Sequence, residues 1–170
     1  MAAEINRGFR WLYNFGGGQP EIERLPVKIS QTLYKGSVVC LSATSGSVRI
    51  VAEADTSLYG VVLHNVTTSA TEKTTFAEVH PFVIGEVFEA VGAPATMTTS
   101  RRGGAFMNLH ADIEIPTAGY CRIDTACAVP TLRIVGWSTV AGSEDVTGAG
   151  RKWHVTIDPH FSQYQTTGEA

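Results

Sequence analysis

A chain of 170 residues, 44% apolar and 17% charged, is a folded domain of ordinary size with extensions and a surface short of charge. Its net charge is −3 and no basic cluster exceeds Arg101-Arg102, which excludes the electrostatic footprint of a nucleic-acid-binding surface. No apolar run approaches the roughly 20 residues of a membrane helix, and the start M-A-A-E-I-N-R lacks an apolar leader core, so synthesis in a cytoplasm is expected.

A surface short of charge suits a protein that covers part of a larger assembly. It equally suits a Thr/Ser-rich β-protein solvated by hydroxyls. Three cysteines, Cys40, Cys121 and Cys127, cannot all pair within one chain. Reduced, part-buried thiols are expected, with a Cys121–Cys127 bridge as the alternative.

Residues 1–26 read as an extended N-terminal arm. Phe9, Trp11, Leu12, Tyr13 and Phe15 crowd together with neither helical nor strand periodicity, and Gly16, Gly17 and Gly18 before Gln19-Pro20 form a hinge. Fully extended, such an arm reaches roughly 80 Å. The alternative is that the aromatics fold back and plug one end of their own barrel.

Residues 27–158 read as one β-barrel domain. Residues 33–63 hold three short β-branched runs separated by Gly, Ser, Asp and Thr, the composition of strands and turns. Val48, Ile50 and Ala52 share a face opposite Ser47 and Arg49, as in a half-buried strand. Residues 76–91 read as a strand with an internal glycine, Gly85, and Thr-rich loops lie at 67–75 and 92–104. In residues 105–115, Met107, Leu109, Ala111, Ile113 and Ile115 line one face, and Asn108, His110, Asp112 and Glu114 the other. Further strands are expected at 120–125, 132–137 and 152–158, and residues 159–170 form a short polar C-terminal tail. The predicted fold is all-β, a small β-barrel or sandwich of eight to ten short strands without helix. Gly60, Gly85 and Gly136 are expected where strands bend or backbones approach closely.

No catalytic motif emerges. His64, His80, His110, His154 and His160 form no metal-ligand pair, and no cysteines sit at zinc spacing, so neither metal nor cofactor is expected. His154 and His160 flank Asp158, but His154 reads as an outward residue of its strand. No G-x-S-x-G elbow occurs, and Gly16-Gly17-Gly18 lacks the Lys-Ser/Thr of a phosphate loop. Asp112, Glu114 and Asp124 read as a solvated strand face rather than a glycosidase pair.

The chain resembles the small capsid cement, or decoration, proteins of tailed bacteriophages. The resemblance rests on Arg10-Trp11-Leu12-Tyr13, Gly16-Gly17-Gly18-Gln19-Pro20, Leu25-Pro26-Val27 and Leu33-Tyr34-Lys35-Gly36-Ser37-Val38-Val39. It continues through residues 47–51, Leu58-Tyr59-Gly60-Val61-Val62, Val83-Ile84-Gly85-Glu86-Val87 and Val135-Gly136-Trp137. The Thr-rich loops depart from the pattern. The resemblance implies a non-enzymatic virion protein, made in the bacterial host cytoplasm. It would bind the outer surface of an expanded icosahedral head as a homotrimer and clamp neighbouring major capsid protein subunits against DNA pressure. The capsid-binding residues would be Phe9, Arg10, Trp11, Leu12, Tyr13 and Phe15, with neither nucleic acid nor membrane as partner. On that reading a chain lacking residues 1–25 keeps a folded barrel. One competing reading is a carbohydrate- or ligand-binding module using Tyr34, Tyr59, Tyr120 or Trp137. Another is an enzyme using Asp124 and His110.

Overall fold

A computed structural model describes residues 8–43, 45–52, 55–70, 75–92, 109–114, 121–126, 129–138 and 152–162. Thirteen strands occur among them. They are β1 (Arg10–Asn14), β2 (Glu23–Pro26), β3 (Thr32–Leu33), β4 (Val38–Leu41), β5 (Val48–Ile50), β6 (Gly60–Val62) and β7 (Val66–Thr67). There follow β8 (Phe76–Pro81), β9 (Glu86–Val91), β10 (His110–Glu114), β11 (Arg122–Asp124), β12 (Leu132–Trp137), β13 (Lys152–Ile157) and a 3-10 turn at Pro159–Phe161. The loops at 71–74 and 93–108, the turn at 115–120 with Tyr120, Cys127, the Gly-rich stretch 139–151 and the tail from 163 lie outside the described residues.

The fold is all-β. A six-stranded sheet, β1-β9-β13-β12-β10-β11, faces a five-stranded sheet, β2-β8-β6-β4-β5, and a β3-β7 ribbon packs on the far side of the latter. The ladders are antiparallel, and among the described residues no sheet closes into a barrel, so the molecule is a small sandwich.

Period-two alternation in the five-stranded sheet feeds two cores. Val38 and Val61 face the six-stranded sheet, where they meet Phe82, Phe88, Ile113, Ile123, Leu132, Ile134, Trp153 and Val155. Val39 and Val62 face the opposite way and pack with Val48, Tyr59, Val79 and, from the ribbon, Leu33 and Val66. The central strands β4 and β6 are therefore covered on both faces, which is why V-V-C and G-V-V are continuous apolar runs.

Two expectations are corrected here. The run 76–91 is not one strand: β8 belongs to the five-stranded sheet and β9 to the six-stranded one. Gly85, at φ 87°, lies in the turn between them, where Glu86 N–H donates to Val83 O at 3.2 Å. A φ in that region is open to glycine at no steric cost, so the chain crosses between layers there.

The second correction concerns the arm and the domain boundaries. β1 pairs with β9, β2 pairs with β8, and Phe9 is buried in the main core. Residues 8–26 are thus part of the sandwich. A chain lacking residues 1–25 would lose the edge strand β1 and nearly all of β2. The fold-back follows from burial, since covering one Phe side chain is worth about 1.5–3 kcal/mol. At the other end, Leu58 N–H donates to Phe161 O at 2.7 Å and Ser162 Oγ–H to Phe82 O at 2.7 Å, so residues 159–162 also dock on the domain.

Gly60 performs the close approach expected of it. A Cβ there would stand 2.3 Å from His80 O and 2.8 Å from Val79 Cγ1, both on the neighbouring strand β8. Gly136 sits at an irregularity in the β12–β13 register.

A polar knot ties β4 and β5 to the chain that follows. Arg49 donates to both oxygens of Asp55 at 2.8 and 2.7 Å, and Asp55 also accepts from Ala52 N–H at 2.6 Å and Cys40 Sγ–H at 3.4 Å. Burial alone would raise the Asp55 pKa, but these donors outweigh it and hold the carboxyl below its ordinary value. Burial, followed by the Asp55 charge, pushes the Cys40 thiol up to about 12. Burial likewise moves Cys121 to about 11. Both thiols are free and buried.

Gly60→Ala should cost about 1–3 kcal/mol, because β8 backbone rather than a flexible side chain must shift; urea unfolding reads this directly. Because the folded-state pKa of Asp55 is lowered, its contribution is complete above the ordinary value of 3.8 and is lost as pH falls through the folded-state value. The stability gap between wild type and Asp55→Asn should therefore be widest near neutrality and narrow below about pH 4. A gap independent of pH would show that the charge of Asp55 contributes nothing.

Candidate functional site

The segment from Gly8 to Ile22 builds two distinct surfaces, one inside and one outside. It is pinned at its start by a glycine crossing. Phe9 N–H donates to Gly36 O at 2.9 Å. A Cβ on Gly8 would lie 2.9 Å from the Gly36 backbone, and one on Gly36 would lie 3.0 Å from Gly8. Both residues have positive φ, 139° and 85°, so only glycine allows this contact.

From there β1 runs beside β9, with Arg10 opposite Glu89 and Trp11 opposite Phe88. The register then slips between Trp11 and Tyr13, placing Tyr13 opposite Val87. The extra residue, Leu12, is a β-bulge. Directly opposed residues share a face, and Phe88 and Val87 face opposite ways. Trp11 therefore points with Phe88 toward the core, and Tyr13 points outward. The bulge explains why the aromatic cluster has no simple period in the sequence.

Inward, Trp11 packs on the main core and lies over His80, with ring centroids 5.8 Å apart. His80 Nε2 stands 2.9 Å from Glu86 Oε2, and both side chains are 3% exposed. This pair joins β8 of one sheet to the start of β9 of the other, with Phe88 edge-on to the His80 ring at 5.3 Å. Sequence reasoning missed the pair. Its signal was a single acidic residue, Glu86, inside the apolar run V-I-G-E-V-F.

Outward, Tyr13 and Phe15 meet edge to face at 5.6 Å and are 42% and 67% exposed. Phe15 N–H donates to Gly85 O at 2.9 Å, which sets the pair beside exposed Ile84. Phe15 and Ile84 line a cleft with Arg133, Pro159 and His160. Gly17 and Gly18 are exposed with open space around them, in keeping with a turn that carries little packing. On the same outward face Glu89 is 5% exposed between Arg10 at 3.0 Å and Lys152 at 3.1 Å. His154, opposite Glu89, is half-buried rather than solvated, and burial lowers its pKa.

The structure thus divides the expected capsid-binding residues. Tyr13 and Phe15 form an exposed pair, and Arg10 is exposed beside Glu89. Phe9 is 4% exposed and belongs to the core, while Trp11 and Leu12 are half-buried. The candidate ligand-binding aromatics scatter: Tyr59 is buried, Tyr34 is half-buried and Trp137 is exposed. Of the candidate carboxylates, Asp112 accepts from Ile113 and Val129 N–H and Asp124 from Ala126 N–H, whereas Glu114 Oε2 is buried without a hydrogen-bond partner among the described residues. Among the described residues no group of three His, Cys, Asp or Glu side chains gathers as a metal site would.

Comparison with protein-family models finds no match for this chain, and comparison with curated proteins finds none.

Glu86→Ala should destabilise the protein by about 3 kcal/mol, because it leaves the buried imidazole without its partner. The double variant His80→Phe/Glu86→Leu, which removes both polar groups, should recover part of that loss; urea denaturation of the three proteins tests the difference.

Proposed function

We propose that this chain is a structural virion protein of the capsid cement type. It binds the outer surface of an expanded icosahedral phage head, as a homotrimer, and clamps neighbouring major capsid subunits. The observation that carries this reading is the exposed aromatic pair Tyr13 and Phe15, set beside Ile84 at the edge of the six-stranded sheet. Large apolar side chains held rigidly at a surface are the anchors that dominate protein interfaces. The low charge of the chain and the resemblance of residues 10–140 to decoration proteins support the same reading.

The fold changes how the anchor works. A tip supported by β1 and by the Gly85 turn is pre-organised, so little ordering entropy opposes docking. Three such tips in a trimer would add by avidity.

Co-sedimentation with expanded, undecorated heads of its own phage is the direct test. The full chain should pellet stoichiometrically. Tyr13→Ser/Phe15→Ser, which leaves the core intact, should weaken binding by about 30-fold or more. A folded double variant that pellets like the wild type would remove the aromatic tip as anchor, and a wild type that stays in the supernatant would overturn the cement reading.

A further inference from the structure

We propose that the cavity beneath Trp11 is a binding site for a small amphiphilic anion, an apolar body carrying a single carboxylate-like head. The inference concerns the inward side of β1 and is independent of the capsid-binding reading. The cavity has a volume of about 250 Å³ and lies between the returning N-terminal segment and the five-stranded sheet. Its walls are Phe9, Trp11, Val61, Val62 and Phe88. The pocket is partly open to solvent, and roughly 150 Å³ already accommodates a benzene ring. The volume therefore suits one aromatic ring or a medium alkyl chain and is too small for a nucleotide or an oligosaccharide.

The polar groups decide the head. Among the described residues, Arg10, Trp11, Lys35 and His80 are the lining residues with polar side-chain groups, and the buried Trp11 indole N–H has no hydrogen-bond partner there; no residue with a hydroxyl, amide or carboxylate side chain lines it. A sugar would find no donor–acceptor array. His80 Nε2 is committed to Glu86, and Arg10 is committed to Glu89. Lys35 is exposed, where the cavity meets solvent, and its ammonium makes no ion pair among the described residues. Its backbone N–H is held by Asn65 Oδ1 at 2.8 Å, which fixes the turn that presents it. An anionic head would sit at Lys35 with its apolar body against Trp11 and Phe88.

The test is isothermal titration calorimetry of the full chain with octanoate and, in parallel, octan-1-ol. Octanoate should bind one per chain with a dissociation constant of about 1 mM or tighter. Octan-1-ol should bind more weakly. Lys35→Ala should weaken octanoate about three-fold, the value of one exposed charge pair, and leave octan-1-ol unchanged. Leu63→Trp, which narrows the cavity, should abolish binding of both. Ile22→Asp places a like charge at an exposed lining position, where folding is not at stake, and should weaken octanoate more than octan-1-ol. No heat with octanoate up to about 10 mM would overturn the proposal. So would equal affinity for octanoate and octan-1-ol, or binding that survives unchanged in both folded Leu63→Trp and Ile22→Asp.

Discussion

The contact on which the architecture turns is the buried pair His80–Glu86. The chain leaves one sheet at Pro81 and enters the other at Glu86, and the pair closes across that step. A polar pair buried this deeply is a weak net stabiliser, because desolvation offsets most of its attraction. What it contributes is registration. Only one alignment of β8 against β9 satisfies both groups, and any slip leaves a buried donor or acceptor alone. Trp11 and Phe88 then pack on the imidazole, so the position of β1 is referred to the same point.

The N-terminal segment extends that logic. The glycine crossing at Gly8 and Gly36 sets where it enters, and Phe9 fills the core. The bulge at Leu12 then divides its aromatics between the two faces of the sheet. A bulge also twists and interrupts an edge strand, which guards β1 against uncontrolled pairing with other chains. The strand β1 and Phe15 just beyond it therefore carry both an inward cavity wall and an outward aromatic tip.

The same segment frames the proposed roles. A cement protein needs a rigid anchor on a domain that stays folded under load. A tip braced through Phe15 against the β8–β9 turn meets that need better than a free arm, since its conformational entropy is already spent in folding. Beside the tip Glu89 lies between two cations, and elsewhere in the fold Asp112 and Asp124 hold backbone amides and Asp55 holds Arg49. The tip itself, Tyr13, Phe15 and Ile84, is aromatic and aliphatic.

Composition and periodicity by themselves determined the all-β class and strands at 48–50, 110–114, 132–137 and 152–157, and marked Gly60 as a bend, a bulge or a close approach. These are local properties: alternation dictates which side chains share a face, and a glycine within an apolar strand marks a close backbone. The aromatic cluster and its glycine hinge were also visible, and Tyr13 and Phe15 were among the residues singled out. Only the tertiary structure decided that Phe9 is core, that residues 8–26 complete two sheets, and that residues 76–91 cross between layers. Each depends on pairing between segments far apart in the chain, with β1 on β9 and β2 on β8. Such pairing leaves no period in either segment alone, and at Leu12 the bulge erases even the local one.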